Sequence, residues 1–198
     1  MDRSKFDSQL MQLRKIILDG ISYHIAFQAL DKEYQLTNTK LKNEEGFWWQ
    51  YRGFFAPARN ALLRSTLLQL SKVYDASPNA VSLRSLVINA RNEPTNLAPF
   101  ATEESLENIQ RRIADIRELL EKLRRYRNRQ LVHYDSDFMD NMELPTGEIE
   151  MLIEKTKSIF NSFKLLCDGK ADNFDEIMKE VIIHTDQVIE LLKKEEPA

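Results

Sequence analysis

Arg127 and His133 are the residues of this chain whose types point most directly to chemistry. A guanidinium binds phosphate oxygens through several donors, and an imidazole takes up and releases protons near neutral pH. The segment from Glu121 to His133 also holds a single acid against the bases Lys122, Arg124, Arg125, Arg127 and Arg129. In a chain of net charge −3, this is the local patch that a polyanion requires, although a run of charges on a helix is more often only a solvated face.

Arg127 occupies a position at which the helical pattern predicts an apolar side chain. Upstream of it, apolar residues recur at steps of three and four, which indicates a helix with one face against a partner: Leu106, Ile109, Ile113, Ile116, Leu120 and Leu123. The next step of this stripe falls on Arg127. Because burying an unpaired charge is costly, we expect this guanidinium to have a partner, a wet cleft or a ligand, unless the helix loosens and the side chain reaches solvent.

The spacing of Arg127 and His133 constrains how the two side chains work together. Six residues on an ideal helix separate them by about 120° around the axis and roughly 9 Å along it, so one straight helix does not focus both on one atom. They could flank a groove, or a kink could bring them together. Alternatively, two copies of the chain could meet across a two-fold axis and pair their motifs. The third arrangement suits the geometry best and predicts a homodimer.

Helical spacing of apolar residues runs through the rest of the chain, without β-type alternation. It predicts a first helix from about residue 4 to the mid-thirties, a helix over Ala58–Asp75, and a short helix capped by Ser82. Two prolines predict a loop over Asn92–Pro99, and Thr102 then opens the helix that carries the stripe.

Two further helices complete the predicted fold. One follows Pro145-Thr146-Gly147, and the last begins near Asp172 with an apolar stripe at Ile177, Val181, Val188 and Leu191. The sequence therefore predicts an all-α helical bundle. With 42% hydrophobic and 30% charged residues, a chain of 198 residues suits one compact domain.

Composition also bounds the compartment. Cys167 is the sole cysteine, so no intrachain disulfide forms, and no apolar run approaches the ~20 residues of a membrane span. The N-terminal residues lack the apolar centre of a signal peptide. We therefore expect a cytoplasmic protein without membrane association.

The remaining candidate residues favour packing over chemistry. His24 and His184 are expected at the edge of the core, and Cys167 is expected to be a buried thiol. The aromatic cluster from Phe47 to Phe55 is a core or dimer surface in the favoured interpretation, and a base-stacking surface in the other. The sequence has no His-x-x-x-His or Glu-x-x-His pair to hold a metal, so no metal is expected.

Three segments of the chain resemble a known family. Arg127-Asn128, followed after four residues by His133, resembles the signature of the HEPN superfamily (higher eukaryotes and prokaryotes nucleotide-binding domains). The segments 68–75 with 82–86, and 126–135, resemble its AbiU-type branch of bacterial abortive-infection proteins. The resemblance covers roughly residues 5 to 190 and implies a single HEPN-like domain over 1–198, built from long antiparallel helices and dimerising so that two motifs share one cleft.

The resemblance also implies an activity. Active relatives cut RNA without a metal ion or other cofactor, in antiphage or toxin–antitoxin systems. By this likeness His133 would act as general base or acid, Arg127 would hold the scissile phosphate, and Asn128 would orient it. The residues expected to contact RNA are Arg124, Arg125, Arg129 and Tyr134. The alternative is a non-catalytic helical module that binds RNA, nucleotide, an antitoxin or another defence protein.

Overall fold

Helices account for every regular element in the residues that the structure describes. This structure is a computed structural model, and it describes residues 1–40, 52–132 and 144–194. In chain order the elements are α1 (Arg3–Lys40), α2 (Arg52–Val73), α3 (Leu83–Asn92), α4 (Pro94–Leu97), α5 (Glu103–Asp115), α6 (Arg117–Val132), α7 (Thr146–Asp168) and α8 (Phe174–Lys194). The prediction of an all-α fold is confirmed.

The chain divides into two compact units. The first holds residues 1–18 and 67–172, and the second holds residues 19–66 and 173–198. Every residue of the predicted site that the structure describes falls in the first unit. The prediction of one domain spanning 1–198 stays a prediction.

Two capping boxes begin α3 and α5, where the sequence placed helix starts. The Ser82 hydroxyl accepts from the Ser85 backbone N–H, and the Thr102 hydroxyl accepts from the Ser105 backbone N–H. In both cases the serine hydroxyl satisfies the backbone N–H of the cap residue in return. These bonds satisfy N–H groups that a helix start otherwise leaves without partners, so both predicted caps are confirmed.

The predicted stripe helix is in fact two helices. α5 ends at Asp115, Ile116 lies between the helices, and α6 begins at Arg117. Ile116 has φ −99° and ψ 14° and is buried, so the core holds its side chain at the interruption. Neither glycine nor proline marks this break, and for that reason the periodic pattern predicted one continuous helix.

The predicted loop over Asn92–Pro99 is also partly wrong. It contains the single helical turn α4, which starts at Pro94. The fixed φ of proline suits the first position of a helix, where no backbone N–H is needed. The prolines that predicted a loop therefore include one that starts a helix.

The core of the first unit lies where α5, α3 and α7 contact one another. α7 contributes a fully buried row, and the ring of Phe163 meets that of Phe6 from α1 edge-on at 6.3 Å. Arg3 binds this part of α1 to its neighbours, since its guanidinium donates to the carbonyls of Asn96, Leu97 and Cys167. The first unit is thus a helical core that presents α6 and the end of α2.

Three predictions of burial fall in the second unit, and one of them is confirmed. His24 is 5% exposed and its ring lies 6.1 Å from that of Phe27, so its predicted place at the core is confirmed. The same prediction for His184 is wrong, because its side chain is exposed. The predicted stripe of α8 is also largely wrong: Val188 and Leu191 are more than half exposed, and Ile189 is the side chain that packs inward.

Candidate functional site

α6 places three of its arginines on a face that also carries part of the apolar stripe. Leu123 and Tyr126 are 2% and 8% exposed and fix the helix against the core. Arg117, Leu120, Arg124 and Arg127 follow one another at steps of three and four, which puts them on one side of the helix. The buried Tyr126 belongs to the packing of this helix.

This side of α6 lines a cleft of about 850 Å³, which we call the arginine cleft. Its walls come from the end of α2 with the following turn, and from α3, α5 and α6. The arginines that line it are Arg84, Arg117, Arg124 and Arg127, and the acids are Asp75 and Glu121. Between these charges lie the aliphatic side chains of Val87, Ile88, Ile113, Leu120 and Leu123. The described lining therefore combines a positive balance with an apolar surface.

Arg127 pairs with an acid of the arginine cleft. Its Nη1 lies 3.4 Å from Oδ2 of Asp75, and the two side chains are 31% and 26% exposed. The sequence predicted that this guanidinium would have a partner or a wet cleft, and the structure shows Asp75 as the partner and the arginine cleft around it. The contact is long and uses one nitrogen of a group that has five N–H donors, so it is a weak pairing rather than a two-bond clamp.

A tight turn after α2 holds the Asp75 carboxylate. Oδ1 accepts from the backbone N–H of Ser77 at 2.8 Å and from its hydroxyl at 2.7 Å. The two bonds from Ser77 lower the pKa of Asp75, and the nearby Arg127 charge lowers it further. Asp75 is therefore a fixed anion at neutral pH.

The residue before Asp75 anchors this end of α2 to α7. The Tyr74 hydroxyl lies 2.8 Å from Oγ1 of Thr156, which is fully buried. Because the Thr156 hydroxyl itself donates to the Leu152 carbonyl at 2.7 Å, Tyr74 must be the donor between the two. Burial raises the pKa of the Tyr74 hydroxyl well above its ordinary value of 10.0. This bond fixes the backbone from which Asp75 projects.

Only some of the predicted site residues lie in the arginine cleft. Arg124 and Arg127 line the arginine cleft, whereas Arg125 and Asn128 are exposed residues of α6 that are not among its lining residues. Arg129 belongs to α6, and its side chain lies outside what the structure describes. His133 and Tyr134 lie outside the described residues altogether, and so do residues 47–51 of the aromatic cluster.

Four charged residues of the cleft were not predicted as site residues from the sequence: Asp75, Arg84, Arg117 and Glu121. Arg84 and Asp75 lie in the segments 82–86 and 68–75, where nothing in their own spacing indicates a shared site. Arg117 precedes Arg127 by ten residues, and the three- and four-residue steps between them were a signal that could have identified it.

Cys167 behaves as the sequence predicts. Its side chain is fully buried, and burial raises the pKa of its thiol to about 12. A thiol is a poor nucleophile when its pKa is raised, so Cys167 contributes packing.

The three segments that resemble the HEPN superfamily, 68–75, 82–86 and 126–135, meet at the arginine cleft of the helical unit. The first segment contributes Ser71, Tyr74 and Asp75 to the lining of the arginine cleft, the second contributes Arg84, and the third contributes Arg127. The family model for AbiU2, a HEPN family, matches residues 3–186, so the chain belongs to the AbiU2 family and is a HEPN module of the abortive-infection type. Neither a curated protein nor a solved structure matches the chain. In the described residues no helix has the length and apolar character to cross a membrane.

Proposed function

We propose that this chain is a metal-independent endoribonuclease of an abortive-infection or toxin–antitoxin system. The observation that carries the proposal is the place of Arg127, which opens onto a cleft that it shares with three other arginines. Guanidinium groups around a concave surface neutralise phosphates, and the aliphatic side chains between them suit the face of an unpaired base.

In the proposed reaction the RNA supplies its own nucleophile. The 2′-hydroxyl attacks the adjacent phosphorus, the bond from phosphorus to the 5′-oxygen breaks, and the products carry a 2′,3′-cyclic phosphate and a 5′-hydroxyl. His133 accepts the proton of the 2′-hydroxyl or donates one to the leaving oxygen. Arg127 binds the phosphate and stabilises the charge that grows on it in the transition state.

The proposed enzyme is a homodimer. Arg127 and His133 are six positions apart, a spacing that an ideal helix would turn into about 120° around its axis, so a second copy of the chain provides the more direct way to bring one of each to a single phosphate. Arg84, Arg117 and Arg124 would then bind neighbouring phosphates of the same strand. This adds two arginines to the contacts predicted from the sequence.

The decisive experiment is cleavage of total RNA by the purified chain in EDTA. Wild type is compared with Arg127→Ala and His133→Ala, and with Arg111→Ala, which removes an exposed arginine of α5 outside the cleft lining. Loss of a general acid or base, or of a group that stabilises charge in the transition state, costs roughly 100-fold or more, so both motif variants should be nearly inactive while Arg111→Ala is unchanged. Undiminished cleavage by His133→Ala would overturn the proposal.

One observation favours a second candidate, a non-catalytic module that binds RNA, nucleotide or a partner protein. The acid Asp75 already pairs with Arg127, so one nitrogen of the guanidinium has a partner within the chain. This candidate predicts that the wild type binds RNA or a partner without cutting RNA. Cleavage that resists EDTA and needs His133 would exclude it.

A further inference from the structure

Asp75 is held in place independently of the arginine that it contacts. Its Oδ1 is occupied by the two bonds from Ser77, and its backbone N–H donates to the Lys72 carbonyl at 3.3 Å. The preceding Tyr74 is bound to Thr156 of α7. The carboxylate is therefore a fixed point, and Oδ2 is the oxygen that it offers to the arginine cleft.

Arg127 has the opposite character. A guanidinium on a long, flexible chain loses many rotamers when it is held in one geometry. Its Nη1 contacts Oδ2 of Asp75, and its partly exposed position leaves the guanidinium open to the cleft. The fixed member of the pair therefore restricts the mobile one.

We propose that Asp75 is a positioning residue, which orients the Arg127 guanidinium so that its remaining donors face the phosphate of a bound RNA. This inference rests on the proposed function of the site. In this chain Tyr74 fixes the end of α2, and Asp75 then orients Arg127.

The geometry of the contact between Asp75 and Arg127 fits an aspartate that orients the arginine better than one that prevents it from binding phosphate. An acid that blocked Arg127 would compete best through two short parallel bonds, the form in which arginine and carboxylate bind most strongly. Here the contact is single and 3.4 Å long. A phosphate can therefore bind Arg127 while the contact to Asp75 persists.

A cleavage assay of Asp75→Asn distinguishes an aspartate that orients Arg127 from one that blocks it. The amide keeps an oxygen for the bonds from Ser77 but lacks the charge that orients Arg127, so kcat should fall about tenfold, since misplaced catalytic groups cost rate. The variant should stay folded, with a loss of stability no larger than that expected for a partly exposed ion pair. KM should stay equal or fall, because a negative charge has left a site that binds phosphate.

Glu121→Gln provides the matched comparison. Glu121 lines the same cleft but lies six residues before Arg127, about 120° away around α6. It therefore reports the effect of removing one negative charge without removing the contact to Arg127. A kcat for Asp75→Asn at least fivefold below that of Glu121→Gln is the expected result. Equal kcat values, or a higher kcat for Asp75→Asn than for wild type, would overturn the inference.

A second measurement does not depend on cleavage. Urea unfolding of Asp75→Asn, Arg127→Gln and the double variant forms a cycle, and the midpoints should depart from additivity by roughly 0.2 M, as for a partly exposed ion pair. Additive midpoints would refute the inference even if RNA is cut. Non-additive midpoints in a protein that cuts no RNA would instead place the failure in the proposed function.

Discussion

Replacing Tyr74 with phenylalanine tests the anchor beneath the site. The substitution removes the donor of the bond to Thr156, whose hydroxyl still donates to the Leu152 carbonyl and so keeps a partner. The expected loss is therefore at the lower end for a hydrogen bond, about 1 kcal/mol at neutral pH. Thr156→Val should cost more, about 2 kcal/mol, because it removes the acceptor of the inward-pointing Tyr74 hydroxyl.

The pH dependence of this difference checks the argument further. Burial raises the folded-state pKa of Tyr74 above 10.0, so the unfolded state ionises first as the pH rises. The wild-type bond is therefore fully stabilising below pH 10, and its contribution is lost above pH 10. At pH 11, ionisation of the unfolded state costs the wild type about 1.4 kcal/mol that Tyr74→Phe does not lose. The advantage of the wild type should disappear or reverse there.

Urea unfolding at pH 8 and pH 11, followed by circular dichroism, measures both effects. The quantity to compare is the difference in unfolding free energy between wild type and Tyr74→Phe, because the other titrating groups are common to both and cancel. The reasoning would be refuted if that difference were the same at both pH values. A loss for Thr156→Val smaller than that for Tyr74→Phe would show that the direction assigned to the bond is wrong.

Two further predictions concern the cleft and the core. Arg84→Ala should weaken RNA binding and reduce the slope of log Kd against log salt concentration by about 1, because one phosphate contact is lost. Fluorescence anisotropy with a labelled oligonucleotide measures this slope. An unchanged slope would show that Arg84 does not contact the RNA. Burial raises the pKa of the Cys167 thiol to about 12, so this thiol should resist iodoacetamide at pH 8 in the folded chain and react fully in urea. Mass spectrometry measures the extent of labelling. Rapid labelling without urea would contradict the burial of Cys167.

The fold was predictable because most of its signals are local. Apolar residues at three- and four-residue steps mark the buried faces of α5 and α6, and Ser82 and Thr102 mark helix starts through bonds to residues three positions away. The break at Ile116 was not predictable, since the residues around it are ordinary helix formers. The break depends on how the Ile116 side chain packs in the core.

The candidate site was predictable only where it lies on one helix. Arg127 stood out because a charge interrupted an apolar stripe, and the structure places a partner and a cleft there. Asp75 and Arg84 join it from 52 and 43 positions earlier in the chain, a proximity that exists only after folding. The exposure of His184 was missed for a related reason: periodicity identifies an apolar stripe but not whether another element covers it.

The row of arginines on α6 also sets a molecular length. From Arg117 to Arg127 the helix rises about 15 Å, which corresponds to about four stacked nucleotides at 3.4 Å each. In the proposed complex, an oligonucleotide of two residues would engage only part of this row, whereas one of four or five would extend along all of it. Chain length, and not base sequence alone, would then decide which RNA fragments remain bound.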